Sequence, residues 1–336
     1  MQQRVEDASS AHLAQTEPLR EGKRFWVTVV LAFMAAAACA DTYYVWPGSA
    51  TNGPGTAWSN AYWSIQGAVD VATNAGDMVL VTNGVYDTGG AVTPGYAVSN
   101  RVCITNAIIV QSVNGPDHTL IVGVGPNGDG AMRCVYMTNG STLTGFTLTN
   151  GHTRTSGDVI CDLSGGGVLA TDGVVSNCII TASSAYFYGG GSGLGTLNTC
   201  VLSGNAAIHG GGCYLGTLNN CTLSSNVAKT YGGGGFCQNG GTLSNCTLAG
   251  NSAGYSGGGT YYGTLHNCTI SGNSSQYGGG TDSGNLRGCT LSGNSASKHG
   301  GGSYYGELYN CALSGNTADT GGGSYNSTLM NCTLSG

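Results

Sequence analysis

In the second half of the chain, apolar and polar positions follow a phrase that recurs many times. In one copy, Leu308, Cys311 and Leu313 are the apolar positions, and Ser-Gly-Asn316 closes the phrase. The cysteines that mark successive copies are separated by 22, 21, 25, 22, 21, 22 and 21 residues: Cys178, Cys200, Cys221, Cys246, Cys268, Cys289, Cys311 and Cys332. A fixed period of this length is the sequence signature of a solenoid, in which stacked repeats share one core.

Two solenoids have repeats of this length. The segment Leu265-His-Asn-Cys268-Thr-Ile270 fits the core of a leucine-rich repeat if cysteine takes an apolar position. The segment that should return as a helix instead contains three successive glycines at 278–280, and each glycine costs about 1 kcal/mol in a helix. Short runs of β-formers, glycine at bends and Asn at turns favour a parallel β-helix.

The predicted fold class is therefore all-β, a parallel β-helix of about 21–22-residue coils. We expect like side chains to stack, with Leu308, Cys311 and Leu313 over the same positions of the preceding coil. We also expect a ladder of hydrogen-bonded amides from the Asn that ends each phrase: Asn205, Asn226, Asn251, Asn273, Asn294 and Asn316. The longest interval should form an outward loop around Phe236–Gly241.

The first 40 residues are typical of a secretory signal peptide, with cleavage expected after Ala40. Basic residues precede an apolar run that begins at Phe25, and the run ends in Ala38-Cys-Ala40. No other stretch is long and apolar enough to span a membrane. The remaining chain has six basic and twelve acidic residues, which excludes an electrostatic nucleic-acid surface.

An exported chain with thirteen cysteines after cleavage raises the question of disulfides. In-register strands hold Cβ atoms about 4.8 Å apart, too far for a bridge, so the repeating cysteines are interpreted as small buried apolar residues. Cys213 and Cys237 lie outside the repeating positions and are better candidates for a disulfide. No metal site is predicted.

The chain is divided into a signal peptide at 1–40 and an N-terminal cap with the first strands at 41–100. Irregular coils follow at 101–164, with a loop insertion at 151–164, and regular glycine-rich repeats fill 165–336. In the cap, Thr42–Trp46 is predicted as a strand, and residues 64–73 as an amphipathic helix with Ser64 as N-cap. The last repeat stops midway, which predicts a fragment or an open last coil.

The segments Tyr44-Val-Trp-Pro-Gly-Ser, Trp63-Ser-Ile-Gln-Gly-Ala-Val69 and Gly76-Asp-Met-Val-Leu-Val-Thr-Asn-Gly-Val-Tyr86 resemble the amino-terminal cap of exported, pectate-lyase-like β-helix proteins. The repeats from 165 onward resemble those of chlamydial polymorphic outer-membrane proteins. The resemblance implies a right-handed parallel β-helix and an exported protein. It leaves activity open, because such proteins include polysaccharide lyases and non-enzymatic surface passengers.

The insertion holds the densest polar cluster: His152, Arg154, Asp158 and Asp162, with Asp172 one strand later. These residues are candidates for binding Ca²⁺ and an acidic sugar, as a uronate lyase requires. An exposed polar loop without function is the alternative interpretation, and no ordered carboxylate spacing supports the calcium site.

A second candidate site is a stripe of aromatic residues after the glycine triplets, including Tyr261 and Tyr304. In a pair such as Tyr261-Tyr262, one ring is expected to face outward. The stripe suits contact with sugars or another protein, but a ladder that only stiffens the rod explains it equally well.

Two functions remain open. The first is a non-catalytic, secreted or surface-displayed bacterial passenger, or adhesin, that binds a polysaccharide or a cell-surface protein without a cofactor. The second is a polysaccharide lyase or hydrolase, for which Ca²⁺ would be the cofactor. The repeats carry almost no charged residues on their strands, which favours the first.

Overall fold

The computed structural model describes residues 40–238 and 240–336 of the chain. The predicted signal peptide, apart from Ala40, lies outside these residues. The described part folds as a parallel β-helix, as predicted, with one α-helix at Ile65–Val69 and one 3₁₀-helix at Trp58–Asn60. None of the helices in this part is long and apolar enough to cross a membrane.

The strands form four sheets, which we call sheets A, B, C and D. Sheet A contains Thr42–Val45, Met78–Val81, Ile109–Ser112, Ser141–Thr144, Gly173–Ser176, Thr196–Asn198, Thr217–Asn219, Thr242–Ser244, Thr264–His266, Asn285–Arg287, Glu307–Tyr309 and Thr328–Met330. Sheet B contains Gly84–Tyr86, Thr119–Val122, Thr147–Thr149, Ile179–Thr181, Val201–Ser203, Thr222–Ser224, Thr247–Ala249, Thr269–Ser271, Thr290–Ser292, Ala312–Ser314 and Thr333–Ser335.

Sheet C contains Ala91–Val92, Ser99–Ile104, Met132–Met137, Val168–Ala170, Ser192–Gly193, Cys213–Tyr214, Gly235–Phe236, Thr260–Tyr261, Thr281–Asp282, Ser303–Tyr304 and Ser324–Tyr325. Sheet D is confined to the regular coils and contains Ala206–His209, Val227–Tyr231, Ser252–Ala253, Ser274–Tyr277 and Ser295–His299. Where all four sheets are present, each coil runs through them in the order A, B, D, C. Every strand pair is parallel except Ala91–Val92 with Ser99–Ile104.

The core consists of ladders of like residues, as predicted. Leu308 pairs in register with Leu286, and Leu313 with Leu291. The leucines and the repeating cysteines up to Cys311 are buried. Burial raises the pKa of Cys134 to about 12, and the thiols donate to backbone carbonyls, as Cys200 Sγ does to Asn198 O at 3.3 Å.

All thirteen described cysteines are free, and the two candidates for a disulfide, Cys213 and Cys237, are among them. Both side chains are buried. A hydrogen bond between the two thiols, together with burial, raises the pKa of Cys213. These two cysteines therefore belong to the core, next to the repeating ladder.

The asparagine ladder is also confirmed. Asn251 Nδ2 donates to the carbonyl oxygen of Leu223 and to Asn273 Oδ1, both at 2.9 Å. Asn251 Oδ1 accepts from Nδ2 and from the backbone N–H of Asn226, both at 3.0 Å. Because the Asn side chains are buried, these hydrogen bonds provide partners for amide groups that water does not reach.

The glycine triplets form the corner between sheets D and C. A Cβ on Gly258 would lie 2.4 Å from the carbonyl oxygen of Gly279 in the next coil. At the corner before each repeating Asn the situation differs, because a Cβ on Gly293 would meet nothing within 4 Å. Ser225 occupies the equivalent corner with a φ of 55°. Coil stacking therefore requires glycine in the triplets, whereas the other corner tolerates serine.

The cap forms nearly as expected. Thr42–Val45 pairs with Met78–Val81 at the edge of sheet A, and Ser64 Oγ caps the helix by accepting from Gly67 N at 3.2 Å. The helix ends at Val69, well short of the predicted boundary at 73. Asp70 closes it, and its N–H bonds to both Ala68 O and Gln66 O.

The insertion in the longest coil is smaller than predicted. Phe236 belongs to sheet C, and Cys237 is buried in the core. The N–H groups of Gly240 and Gly241 both bond to Cys237 O at 3.3 and 3.2 Å, which closes a tight turn. The prediction that Phe236 and Cys237 bulge outward was therefore wrong, because Phe236 keeps its register within sheet C and Cys237 packs in the core.

Candidate functional site

The polar residues of the 151–164 loop do not form a single cluster. Arg154 pairs with Asp129, Nη2 to Oδ1 at 2.6 Å, where the Asp129 side chain is largely exposed. Asp172 is exposed in the turn after Val168–Ala170, at the opposite end of that strand from the loop. The structure therefore does not bring Arg154 and Asp172 together with the other two carboxylates.

Asp162 and Asp158 shape the loop itself. Asp162 is buried, and its Oδ1 accepts from the N–H groups of Ala97 and Val98, both at 2.9 Å. Its Oδ2 accepts from Asp158 N at 3.0 Å. Asp158 Oδ1 in turn accepts from the N–H groups of Ile160 and Cys161. These carboxylates act as acceptors for backbone amides, and they tie the loop to the segment before Ser99–Ile104.

This arrangement does not fit Ca²⁺, because both oxygens of Asp162 and Oδ1 of Asp158 accept from N–H donors, and Asp172 lies at the other end of the strand. Across residues 40–238 and 240–336, no group of three or more His, Cys, Asp or Glu side chains is placed to hold a metal ion. That Arg154, Asp158, Asp162 and Asp172 bind a ligand stays a prediction.

The aromatic stripe has a clearer geometry. The outer position of sheet C forms a row in strict register, which we call the sheet C row: Tyr214, Phe236, Tyr261, Asp282, Tyr304 and Tyr325. A parallel row, the sheet D row, consists of the residues just before the glycine triplets: Tyr188, His209, Tyr231, Ser256, Tyr277, His299 and Thr320. We call the two rows together the aromatic face.

The local sequence explains why the sheet C row faces outward. The first residue of each sheet C strand, such as Thr260, is buried, so the alternation of a strand turns the second residue, Tyr261, away from the core. The glycine triplet between the rows has no side chains. Rings from the two rows therefore meet above it.

The rings stack along the axis of the solenoid. In the sheet C row, Phe236 and Tyr261 have centroids 5.3 Å apart and planes 18° apart. Between rows, a ring of the sheet D row stacks on the sheet C row ring of the next coil, as Tyr188 does on Tyr214 at 4.1 Å. Much of each ring face is covered by a neighbouring ring, and burial raises the pKa of Tyr261 to about 12.

At least one ring of Tyr261-Tyr262 faces outward, as expected, but strand alternation is not the reason for Tyr262. Tyr262 and Tyr305 lie in the turn after the strand with φ values of 60° and 51°, so strand alternation does not apply to them. Both are exposed, and each packs edge-on against the tyrosine before it, at 4.8 Å and 4.5 Å between centroids. The turn therefore widens the aromatic face.

Asp282 is a member of this face that the sequence analysis missed. It occupies a position where the neighbouring coils carry Tyr261 and Tyr304. Its Oδ2 accepts a hydrogen bond from Ser256 Oγ, and its Oδ1 accepts from Ser283 Oγ at 2.7 Å. Burial raises the pKa of Asp282, and the two hydroxyls partly offset this by stabilising the ionised carboxylate. The signal that could have identified it is an acidic residue at a repeat position where the neighbouring repeats carry tyrosine.

Two histidines complete the sheet D row. His209 stacks on Tyr231 at 5.3 Å, and His299 on Tyr325 at 4.5 Å. Burial lowers the pKa of His209, which favours its neutral ring. The Nδ1 atoms of both histidines are buried and, within the described residues, without a hydrogen-bond partner. The histidines therefore act here as flat rings of the stack.

A separate groove of about 500 Å³ lies at the first coils. Its lining is mostly apolar and includes Trp46, Trp58 and Val113. Asn114 Nδ2 donates to Asn83 Oδ1 at 2.7 Å at its edge. The groove lies at the other end of the solenoid from most of the aromatic face.

No protein-family model matches the sequence, and no curated protein matches it. Several solved structures can be superposed on most of this chain. Pectate lyase Pel9A is 11% identical with a TM-score of 0.46, over 89% of this chain and 78% of that one. The A-module of mannuronan C-5 epimerase AlgE4 from Azotobacter vinelandii is 14% identical with a TM-score of 0.41, over 81% and 90%.

A lacto-N-biosidase from Eubacterium ramulus is 12% identical with a TM-score of 0.34, over 88% of this chain and 68% of that one. These values are too low to carry an activity from those proteins to this one. The resemblance of the repeats to chlamydial outer-membrane proteins stays a prediction.

Proposed function

We propose that this protein is an exported, surface-displayed or secreted β-helical protein that binds an extended polysaccharide along its aromatic face, without catalysis. The observation that carries this proposal is the pair of register-matched rows that runs from Tyr188 to Tyr325. The proposed export rests on the signal-peptide pattern of residues 20–40.

A polymer suits this face because both have a repeat of similar length. Coils follow one another at about 4.8 Å, which is close to the length of a pyranose unit, so each coil presents one similar contact to each sugar. Because the rings stack on one another, they expose mainly edges and hydroxyls. Tyrosine combines an apolar ring with a polar tip, which suits sugars that present both C–H and hydroxyl groups.

Two features of the loop at 151–164 support a role in structure and not in catalysis. Its buried carboxylate, Asp162, accepts three backbone N–H groups. Its arginine, Arg154, is paired with Asp129. A lyase would need a basic group free to remove a proton next to a sugar carboxylate.

The experiment is binding of the mature chain to an array of plant, algal and bacterial polysaccharides, followed by isothermal titration with the best ligand. We expect a double variant, Tyr261→Ala with Tyr304→Ala, to weaken binding at least about tenfold, because stacking and tyrosine contacts of this kind contribute about 1 kcal/mol each. The double Tyr→Phe variant keeps the stack and separates the hydroxyls from the rings.

Trp46→Ala is the control for the groove at the first coils. Unchanged affinity in the Tyr261/Tyr304 double Ala variant, or loss of binding in Trp46→Ala alone, would contradict the proposal. Binding of a purified cell-surface protein with no affinity for any polysaccharide would also contradict it. Thermal denaturation of each variant shows whether a loss of binding reflects a loss of folding.

A further inference from the structure

The aromatic face is interrupted at one point. In most coils a ring of the sheet D row stacks on the sheet C row ring of the next coil, as in Tyr277 on Tyr304 at 5.3 Å and His299 on Tyr325 at 4.5 Å. At one place this contact between a sheet D row residue and the sheet C row residue of the next coil is a hydrogen bond, which Ser256 donates to Asp282. A serine and a carboxylate thus take the place of a stacked pair of rings.

The interruption leaves a gap in the sheet C row. The stack ends at Tyr261 and begins again at Tyr304, two coils further on, about twice the 4.8 Å strand spacing. Asp282 and Ser256 form the floor of this gap. Neither side chain is as large as a ring, so at this place the sheet C row has a small carboxylate between two tyrosines.

The carboxylate at the floor lacks a positive partner. Asp282 is only 6% exposed, and both oxygens bond to neutral serine hydroxyls. Within the residues that the structure describes, the ion pair is that of Arg154 with Asp129, far along the chain. A carboxylate that is nearly buried among rings is strongly stabilised by a cation.

The rings around the gap also favour a cation, because the face of an aromatic ring carries negative potential. The chain itself provides an example. Lys298 Nζ lies 5.3 Å from the centroid of the Tyr277 ring and donates to Tyr277 Oη at 3.3 Å. Tyr277 packs on Tyr304, which borders the gap. A primary ammonium group is thus already held on this face, next to the interruption.

We propose that the gap between Tyr261 and Tyr304, with Asp282 at its floor, is a subsite for a protonated amine. The aromatic face then selects a polysaccharide that contains amino sugars over its neutral analogue. This inference rests on the proposed function and adds the class of polymer. The carboxylate attracts the ammonium group, and the two tyrosines contact the sugar ring on each side.

The test compares three β-1,4-linked tetramers that differ in one substituent at C2 of each sugar: glucosamine, N-acetylglucosamine and glucose. Affinity is measured by isothermal titration near neutral pH and at physiological ionic strength, since the chain has a formal net charge of −6 that attracts any cation. We expect the glucosamine tetramer to bind about tenfold tighter than the glucose tetramer, which corresponds to about 1.4 kcal/mol.

Three variants locate the preference. Asp282→Asn keeps the shape of the side chain and should remove the preference for the glucosamine tetramer over the glucose tetramer. Asp319→Asn removes an equal charge from an exposed position near the last coil and should keep the preference. Asp282→Tyr introduces the residue of the neighbouring coils, so it should fold and lose the preference.

The outcomes separate this inference from the proposed function. Equal binding of all three tetramers overturns the amine subsite and leaves polysaccharide binding intact. A preference that survives in Asp282→Asn, or is lost equally in Asp319→Asn, overturns the subsite in favour of diffuse charge. Absence of binding to the tetramers and to their polymers overturns both proposals. Tighter, Asp282-dependent binding of tetralysine assigns the subsite to a protein amine and overturns the amino-sugar part.

Discussion

The 151–164 loop and the aromatic face differ in what their carboxylates bond to. In the loop, Asp162 is buried but accepts three backbone N–H groups. On the aromatic face, Asp282 is equally buried but bonds only to two hydroxyls between tyrosine rings. A dense group of charged residues in the sequence therefore marks a structural turn, whereas a single acidic residue among tyrosines marks the subsite that we propose.

The stability of the protein should be most sensitive to substitution in the glycine triplets, which lie beneath the aromatic face. Gly258→Ala places a Cβ 2.4 Å from Gly279 O and 2.5 Å from Ser274 O, which forces neighbouring coils apart. We expect a loss of about 3 kcal/mol or more in the free energy of unfolding, at the upper end for overpacking. Chemical denaturation followed by circular dichroism measures it.

Gly293→Ser is the matched control. Its Cβ meets nothing within 4 Å, and Ser225 already occupies the equivalent corner. The cost should be about 1–2 kcal/mol, because the φ of 60° is strained for a residue with a side chain. Equal destabilisation by the two substitutions would show that the coils are not stacked as described.

In the loop, Asp162→Ala should cost about 2–3 kcal/mol, because the N–H groups of Ala97, Val98 and Asp158 lose their acceptor. Asp172→Ala, in an exposed turn, should change stability by less than about 0.5 kcal/mol. Thermal denaturation compares the two variants, and hydrogen exchange at Ala97 and Val98 reports the loop directly. An unchanged melting temperature for Asp162→Ala would contradict its structural role.

On the aromatic face, the effect of Asp282→Asn on stability should depend on pH and be smaller. The folded state raises the pKa of Asp282, so it binds a proton more tightly than the unfolded chain does. Stability of the natural protein should therefore fall as pH rises from the ordinary aspartate pKa of 3.8 through the folded value.

Asp282→Asn removes this decline. We expect the variant to be more stable than the natural protein near neutral pH and no more stable in acid. Melting temperatures across that range measure the difference. If the stability advantage of Asp282→Asn were larger in acid than at neutral pH, the folded state would stabilise the ionised carboxylate. That result would contradict the raised pKa of Asp282.

The smallest effect is expected for Arg154→Ala. Its ion pair with the exposed Asp129 should contribute less than about 1 kcal/mol, and polysaccharide binding should not change. Ultraviolet absorbance of unsaturated uronates, on pectic and alginate polymers with and without Ca²⁺, should show no product. Calcium-dependent product that disappears in Arg154→Ala would restore the lyase hypothesis.

The repeat made the fold predictable, because a side chain that recurs at a fixed interval must stack on its own copy. Leu308 over Leu286 and the amides from Asn205 to Asn316 follow from that rule alone. The exceptions lie where the period changes. The extra residues after Phe236 were assigned to a bulge because sequence alone does not show which of them the core retains.

The candidate site was less predictable for two reasons. The acceptors of the loop could not be assigned, since Asp162 bonds to Ala97 across 65 residues of chain. Asp282 was overlooked because its importance comes from Tyr261 and Tyr304, which are its neighbours only after coils stack. The glycine triplets bring Ser256 and Asp282 of successive coils together across a floor without side chains.

Hydroxyl-radical footprinting of the protein with and without its bound polysaccharide tests the central claim most directly, because it reads tyrosine side chains one by one. Binding along the aromatic face predicts reduced oxidation of Tyr262 and Tyr305, which are exposed in the free protein, with the 151–164 loop and Trp46 unchanged. Reduced oxidation confined to the loop or to Trp46, with both tyrosines unaffected, would contradict it.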